Sequence, residues 1–188
     1  MVRSLQPRFE EIPLPGSATV SVRRFNLPAF EYPWHQHPEI ELTWILEGSG
    51  LRRVGDSVEP FVTGDFCLLG SGLPHAWQSA RPDSHGVARS FVVQFDPARF
   101  GDLWERVPEF SPVRRLLDRA GRGLQFLPET GARLLRKFTR AQTPLSRFAA
   151  LLETLDELGR ALEARPLSLA TWTLRPEVSV DPRIQRVL

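Results

Sequence analysis

Residues 34–48 read WHQHPEIELTWILEG, and this stretch constrains the 188-residue chain more than any other. His35 and His37 are two apart, so an extended strand points both side chains to one face. Glu41 has the same parity and returns to that face if the chain stays extended through Pro38. Two imidazoles and a carboxylate converging from one face make a metal-ligand pattern. A further histidine, His75, follows in GDFCLLGSGLPHAW, after Gly64, Gly70, Gly72 and Pro74. Those residues mark a tight loop between two short apolar runs. The plainer reading is a scaffold that keeps these groups for hydrogen bonding or for an organic ligand. The chain has four histidines, and three fall in the pattern. His85, in RPDSHG, reads as a solvated loop residue.

The surrounding sequence reads as β. Over residues 8–95, runs such as VSVRRFN, IELTWIL, FCLL and VARSFVVQF are rich in β-branched and aromatic residues. Gly, Pro and Asp-Ser punctuate them at the spacing of a sandwich or barrel. The run 39–46 has two unlike faces. Glu39, Glu41, Thr43 and Ile45 share one, and Ile40, Leu42, Trp44 and Leu46 the other. If the polar face looks inward, helices or a partner must cover the apolar one.

From Asp96 the period changes to that of helices. Asp96-Pro97 predicts a helix to about Trp104, Ser111-Pro112 one ending at Gly121, and residues 129–141 a third. Thr143-Pro144 opens the fourth and longest, to about Glu163. Its stripe is Phe148, Leu151, Leu152, Leu155, Leu158 and Leu162. That is more apolar surface than a barrel edge alone covers, so the neighbouring helices of this chain or a second subunit must bury the rest. Asp181-Pro182 starts a further amphipathic pattern that stops at Leu188, as in a fragment of a longer chain.

His35-x-His37, Glu41 and Gly48, then Gly64, Gly72 and His75, resemble the two cupin motifs, with residues 49–63 between them. The phrases HPEIELTWILEGSG, VGDSVEPFVTGDFCLLGSGLPHAW, QFDP and RRLLDRAGRGLQF are similar to the sensor domain of AraC/XylS-type transcription regulators, over roughly residues 10–188. Ala29, Gly70 and Ser79 depart from the cupin motifs, which have Gly, Pro and Asn there. The resemblance implies a mainly β protein with C-terminal helices, a cupin-type double-stranded β-helix packed against about four α-helices. It implies a barrel over residues 1–95, a helical dimerisation and linker region over 96–176, and the start of a helix-turn-helix DNA-binding domain over 177–188. The expected function is effector sensing and homodimerisation in a regulator that is not an enzyme. His35, His37, Glu41 and His75 would hold a divalent ion, Zn or Ni. Trp34, Glu39, Thr43 and Trp77 are candidates to contact a small-molecule effector, with Glu39 as a solvent-exposed rim residue in the plainer reading. The alternative is a stand-alone metal-dependent cupin enzyme of dioxygenase or isomerase type, using the same three histidines and glutamate.

Composition bounds the partners. Formal net charge is +2, Lys137 is the sole lysine, and the arginines read as dispersed, with no basic stripe. DNA contact is therefore expected only through the C-terminal domain absent from residues 1–188. Cys67 is the single cysteine, so no internal disulfide forms, and it reads as a small buried hydrophobe. No apolar run is long enough for a membrane span, and the N-terminus lacks a signal-peptide core. The expectation is a cytoplasmic protein.

Overall fold

The computed structural model describes residues 6–13, 18–80, 87–161 and 163–172. His85, Leu162 and residues 177–188 lie outside the described residues. Two sheets carry the fold. The smaller has the spatial order β1 (Arg8–Phe9), β3 (His35–Gln36), β8 (His75–Ser79), β5 (Gly50–Val54) and β6 (Ser57–Phe61). The larger runs β11 (Arg165–Pro166), β10 (Leu124–Phe126), β7 (Phe66–Leu69), β4 (Ile40–Glu47), β9 (Ala88–Phe95) and β2 (Val20–Leu27). The sheets pack on a shared core and are not closed into a barrel. Strand neighbours are mostly non-consecutive in sequence, as in double-sheet jelly rolls.

The two-faced character of residues 39–46 is realised in β4. Ile40 and Leu42 pack into the core shared with the helices, and Trp44 and Leu46 rest against it. Glu41, Thr43 and Ile45 face the space between the sheets. In β7 all four residues are buried, because helices cover one face and the smaller sheet the other. Cys67 lies in this strand, buried and free, and burial pushes its thiol pKa up.

The helical half is α1 (Leu103–Arg106), α2 (Ser111–Ala120), α3 (Pro128–Arg140) and α4 (Pro144–Arg160). The helix predicted from Asp96 is broken in two. Asp96 caps a 3-10 turn over Pro97–Phe100, Gly101 ends it with φ +56°, and α1 begins beyond. Thr143 and Ser146 cap α4 reciprocally. Trp44 packs beneath α3, as its parity predicted. A Cβ at Gly131 would lie 2.9 Å from Trp44 Cδ1, so only glycine lets the helix sit this close. No helix among the described residues is long and apolar enough to cross a membrane.

Three expectations need correction. The stretch after residue 95 is not wholly helical, because β10 pairs with β7 and β11 pairs with β10, extending the larger sheet. The stripe of α4 is not left open either. Leu151, Leu155 and Leu158 are each 0% exposed within the single chain, while Phe148 and Leu152 are half-buried. The premise of a leucine interface between subunits therefore fails, because the helix packs this face on α2, α3 and the larger sheet. Finally, the basic residues are not all dispersed. Arg133, Arg136, Lys137 and Arg140 stand at i, i+3, i+4 and i+7 on α3, which is one helix face.

Candidate functional site

A cavity of about 40 Å³ lies between the sheets, with room for about three water molecules. Both sheets line it. Strand β2 contributes Arg23 and Phe25, β4 contributes Glu41, Thr43 and Ile45, and β9 contributes Ser90, Val92 and Gln94. From the other side come His35, His75 and Trp77, with Glu10, Phe30 and Tyr32 from neighbouring loops.

The histidines are oriented by the backbone. His35 Nδ1 lies 2.8 Å from the Pro33 carbonyl, His75 Nδ1 2.8 Å from that of Leu73, and His37 Nδ1 3.1 Å from that of Glu39. A carbonyl only accepts, so each ring donates Nδ1–H and presents Nε2. The turn that delivers His75 contains Gly72 at φ +71°, whose N–H donates to the His37 carbonyl at 2.9 Å. Thus the loop carrying one imidazole is tied to the strand carrying another. Ligand atoms of His35, His37 and His75 all lie within 4.8 Å of one another, and all three residues are buried.

Glu41 stands against this cluster. Its Oε2 is 3.2 Å from His37 Nε2 and accepts from Gln94 Nε2 at 2.7 Å. Its Oε1 accepts from the Thr43 hydroxyl and lies 3.8 Å from His75 Nε2. Burial pushes the Glu41 pKa up, but the His37 hydrogen bond, the nearby imidazole charge and Thr43 outweigh it, holding the carboxyl well below its usual range. Burial pulls His37 down, and the Glu41 hydrogen bond and charge more than reverse that, leaving its pKa raised. Glu41 attracts His75 without a hydrogen bond, and burial outweighs that attraction, pushing the His75 pKa down to about 3. Its Nε2 is buried without a hydrogen bond.

This donor set fits a divalent cation. Three imidazoles, each held from behind through Nδ1 by a carbonyl, leave Nε2 as the atom for ligation, beside one ionised carboxylate. Where Nδ1–H is already donated, His37 Nε2 and Glu41 Oε2 face each other as two acceptors. They need a proton or a metal ion between them. A bound ion would act as a Lewis acid and a coordination point for an incoming ligand.

The other sequence candidates divide. Thr43 and Trp77 line the cavity. Trp34 does not, and instead carries the Arg53 guanidinium 4.0 Å above its ring. Glu39 is buried rather than an exposed rim residue, with its carboxylate 3.5 Å from His37 Nδ1 and outside the cavity wall. Burial raises its pKa. Four residues had no sequence signal of their own. Glu10 reaches His35 Nε2 at 3.0 Å because β1 pairs with β3. Gln94 sits opposite Glu41 in the β4–β9 register, and in the β2–β9 register Arg23 sits opposite Val92, two residues from Ser90 on the same wall. Only strand register brings these together.

Comparison with known proteins agrees with the fold. ToxT from Vibrio cholerae, solved with an unsaturated fatty acid bound, superposes with a TM-score of 0.51 at 12% identity, covering 76% of this chain and 54% of that one. The chain thus spans about half the length of ToxT. A cupin 2 conserved barrel domain protein from Salinispora arenicola matches at 24% identity, with a TM-score of 0.36, covering 46% of this chain and 72% of that one. Oxalate decarboxylase from Bacillus subtilis matches at 21% identity and a TM-score of 0.34, over 54% of this chain and 29% of that one. No curated protein matches the sequence. The family model for the AraC-like ligand binding domain matches residues 17–170, most of the chain. With that match and the jelly-roll fold around a lined cavity, this chain belongs to the AraC-like ligand binding domain family.

Proposed function

We propose that the chain is the effector-sensing domain of an AraC-type transcription regulator, with DNA contact made by a separate domain of the protein. The cavity between the sheets carries this reading. It joins apolar walls to a few converging polar groups, as small-molecule sites do. A small effector that prefers one arrangement of the cavity shifts the population toward it, by no more than its differential affinity. Trp77 links the cavity to the core that also holds Val54, Leu73 and Leu167, so a change at the wall reaches β5 and the segment after α4. A homodimer through Leu151, Leu155 and Leu158 is not part of the proposal, because those side chains are sealed inside the chain.

The test fills the cavity from one strand. Ser90 is 3% exposed and lines the wall on β9. In the full-length regulator, Ser90→Phe is expected to abolish the response of a promoter–reporter fusion to its inducing growth condition, while promoter retention in a gel shift persists. An unchanged response, or loss of both readouts together, would refute the reading.

The donor set supports a second statement. We propose that His35, His37, His75 and Glu41 bind Zn2+ or Ni2+, in a sensor or, as the alternative class, in a metal-dependent cupin enzyme. Calorimetric titration of chelator-stripped protein should show one ion per chain. His75→Ala should weaken binding by about 10-fold or more. Ligation needs a neutral His37, whose pKa is raised, so affinity should fall as pH drops through that pKa. Absence of binding at pH 8 in folded wild type sinks the metal statement and leaves the effector reading in place.

A further inference from the structure

A groove of about 490 Å³ lies between α3 and α4 and shares no lining residue with the cavity between the sheets. One wall is the basic face of α3, Arg133, Arg136, Lys137 and Arg140. The floor is small and apolar, with Ala141, Ala149 and Ala150. Two acids face these four cations. Glu157 pairs with both Arg133 and Lys137, and Glu153 lies on the opposite wall. Arg136 and Arg140 make no ion pair or side-chain hydrogen bond among the described residues. Four cations against two acids leave this groove with a formal charge of +2, as much as the whole chain carries. Helix-dipole complementarity accounts for Lys137 and Arg140 in the last turn of α3 but not for Arg133 and Arg136.

From these features we infer that the α3–α4 groove docks an acidic amphipathic helix of a partner protein. The two free guanidiniums are four residues apart on one helix, about 6 Å along its axis. Carboxylates at i and i+4 of a second helix have the same spacing, and each accepts a two-pronged guanidinium. The alanine floor lets a third helix approach closely and gives its apolar ridge a place to lie. A nucleic-acid backbone would match the charge but has no apolar ridge for the floor, and Glu153 would repel it. The docking site is distinct from the cavity, so it stands or falls apart from effector sensing.

The probe is a fluorescent helical peptide of about 20 residues, built from Ala and Leu with Glu at every fourth position. It is titrated with the 188-residue chain by anisotropy. A control peptide replaces each Glu by Gln, and a duplex DNA of similar length competes. We expect the Glu peptide to bind, the Gln peptide to bind about tenfold more weakly or worse, and affinity to fall between about 50 mM and about 500 mM salt. Arg136→Glu with Arg140→Glu should remove binding and leave the melting temperature unchanged, since neither side chain supports the fold. Equal binding of both peptides, no binding, or binding untouched by the double substitution overturns the inference. Displacement of the peptide by duplex DNA at lower concentration overturns it too, and makes the groove a nucleic-acid surface.

Discussion

Replacing Leu151 and Leu155 together by glutamate unfolds the chain. Both side chains are 0% exposed and sit in the core between α4 and the larger sheet, among Leu116, Phe138 and Leu158. Truncating such a leucine costs about 2–5 kcal/mol through lost transfer energy and the cavity left behind. Glutamate adds the burial of a carboxyl with no partner, at several kcal/mol more for each site. Two such changes exceed the ~5–15 kcal/mol by which domains are usually stable. The expected result is loss of the far-ultraviolet circular dichroism of the fold and aggregation on expression. Leu145, on the same helix but 76% exposed, is the control, and Leu145→Glu should shift stability by no more than about 0.5 kcal/mol. A stripe that joined two subunits would behave otherwise, since the double substitution would then give a folded, soluble monomer. Sedimentation of such a species would show that α4 does not pack on its own chain as described.

The second large effect lies in the buried ion pair of Arg52 and Asp65. Arg52 is 2% exposed, and its Nη1 donates to Asp65 at 2.5 and 2.6 Å. Its Nη2 reaches Glu59 at 3.0 Å. Asp65 also accepts from Gln125 at 2.6 Å, which ties β10 to the turn before β7. Asp65→Ala leaves the guanidinium buried with Glu59 as its only carboxylate. Breaking a buried pair from one side costs about 3–5 kcal/mol. For a chain of this size that lowers the melting temperature by about 10 °C. The paired change, Arg52→Leu with Asp65→Leu, should cost clearly less, because no lone charge remains. Urea denaturation of the wild type, Asp65→Ala and the paired variant measures both. A single variant that loses under about 1 kcal/mol would mean that water already screens this pair.

Part of the site was legible from residue type and spacing, which singled out His35, His37, Glu41 and His75. The expected route was different, because the chain bends at Pro38 and Glu39 and passes from the smaller sheet to the larger, so Glu41 meets the imidazoles from the opposite sheet and not by shared parity on one extended strand. The opposite parity of Trp44 placed it under a helix, where it rests on Gly131. Cys67 in an apolar run read as buried, and it is. What parity cannot supply is the identity of the residues across the gap. Glu10, Arg23 and Gln94 share the cavity with Glu41 only because of pairings between strands far apart in sequence. β10 has three residues and β11 two, too few to show any period, and they exist as strands only because β7 offers an edge.

The sequence by itself determined that strands come first and that helices dominate after residue 95, and it showed the two faces of β4, since both follow from local periodicity. Tertiary structure brought His35, His37, Glu41 and His75 together, because β3 and β4 lie in different sheets and His35 meets His75 through the β3–β8 pairing. Tertiary structure alone decided what covers the leucine stripe of α4, because amphipathicity states that a face must be buried and not by whom. It also decided the protonation of the cluster. His37 and His75 are both buried beside Glu41, yet the hydrogen-bonded carboxylate 3.2 Å from His37 raises its pKa, while at 3.8 Å from His75 it makes no hydrogen bond and burial drives that pKa to about 3. Desolvation and pairing act through distances of a few ångströms, and those distances belong to the fold rather than to the order of residues.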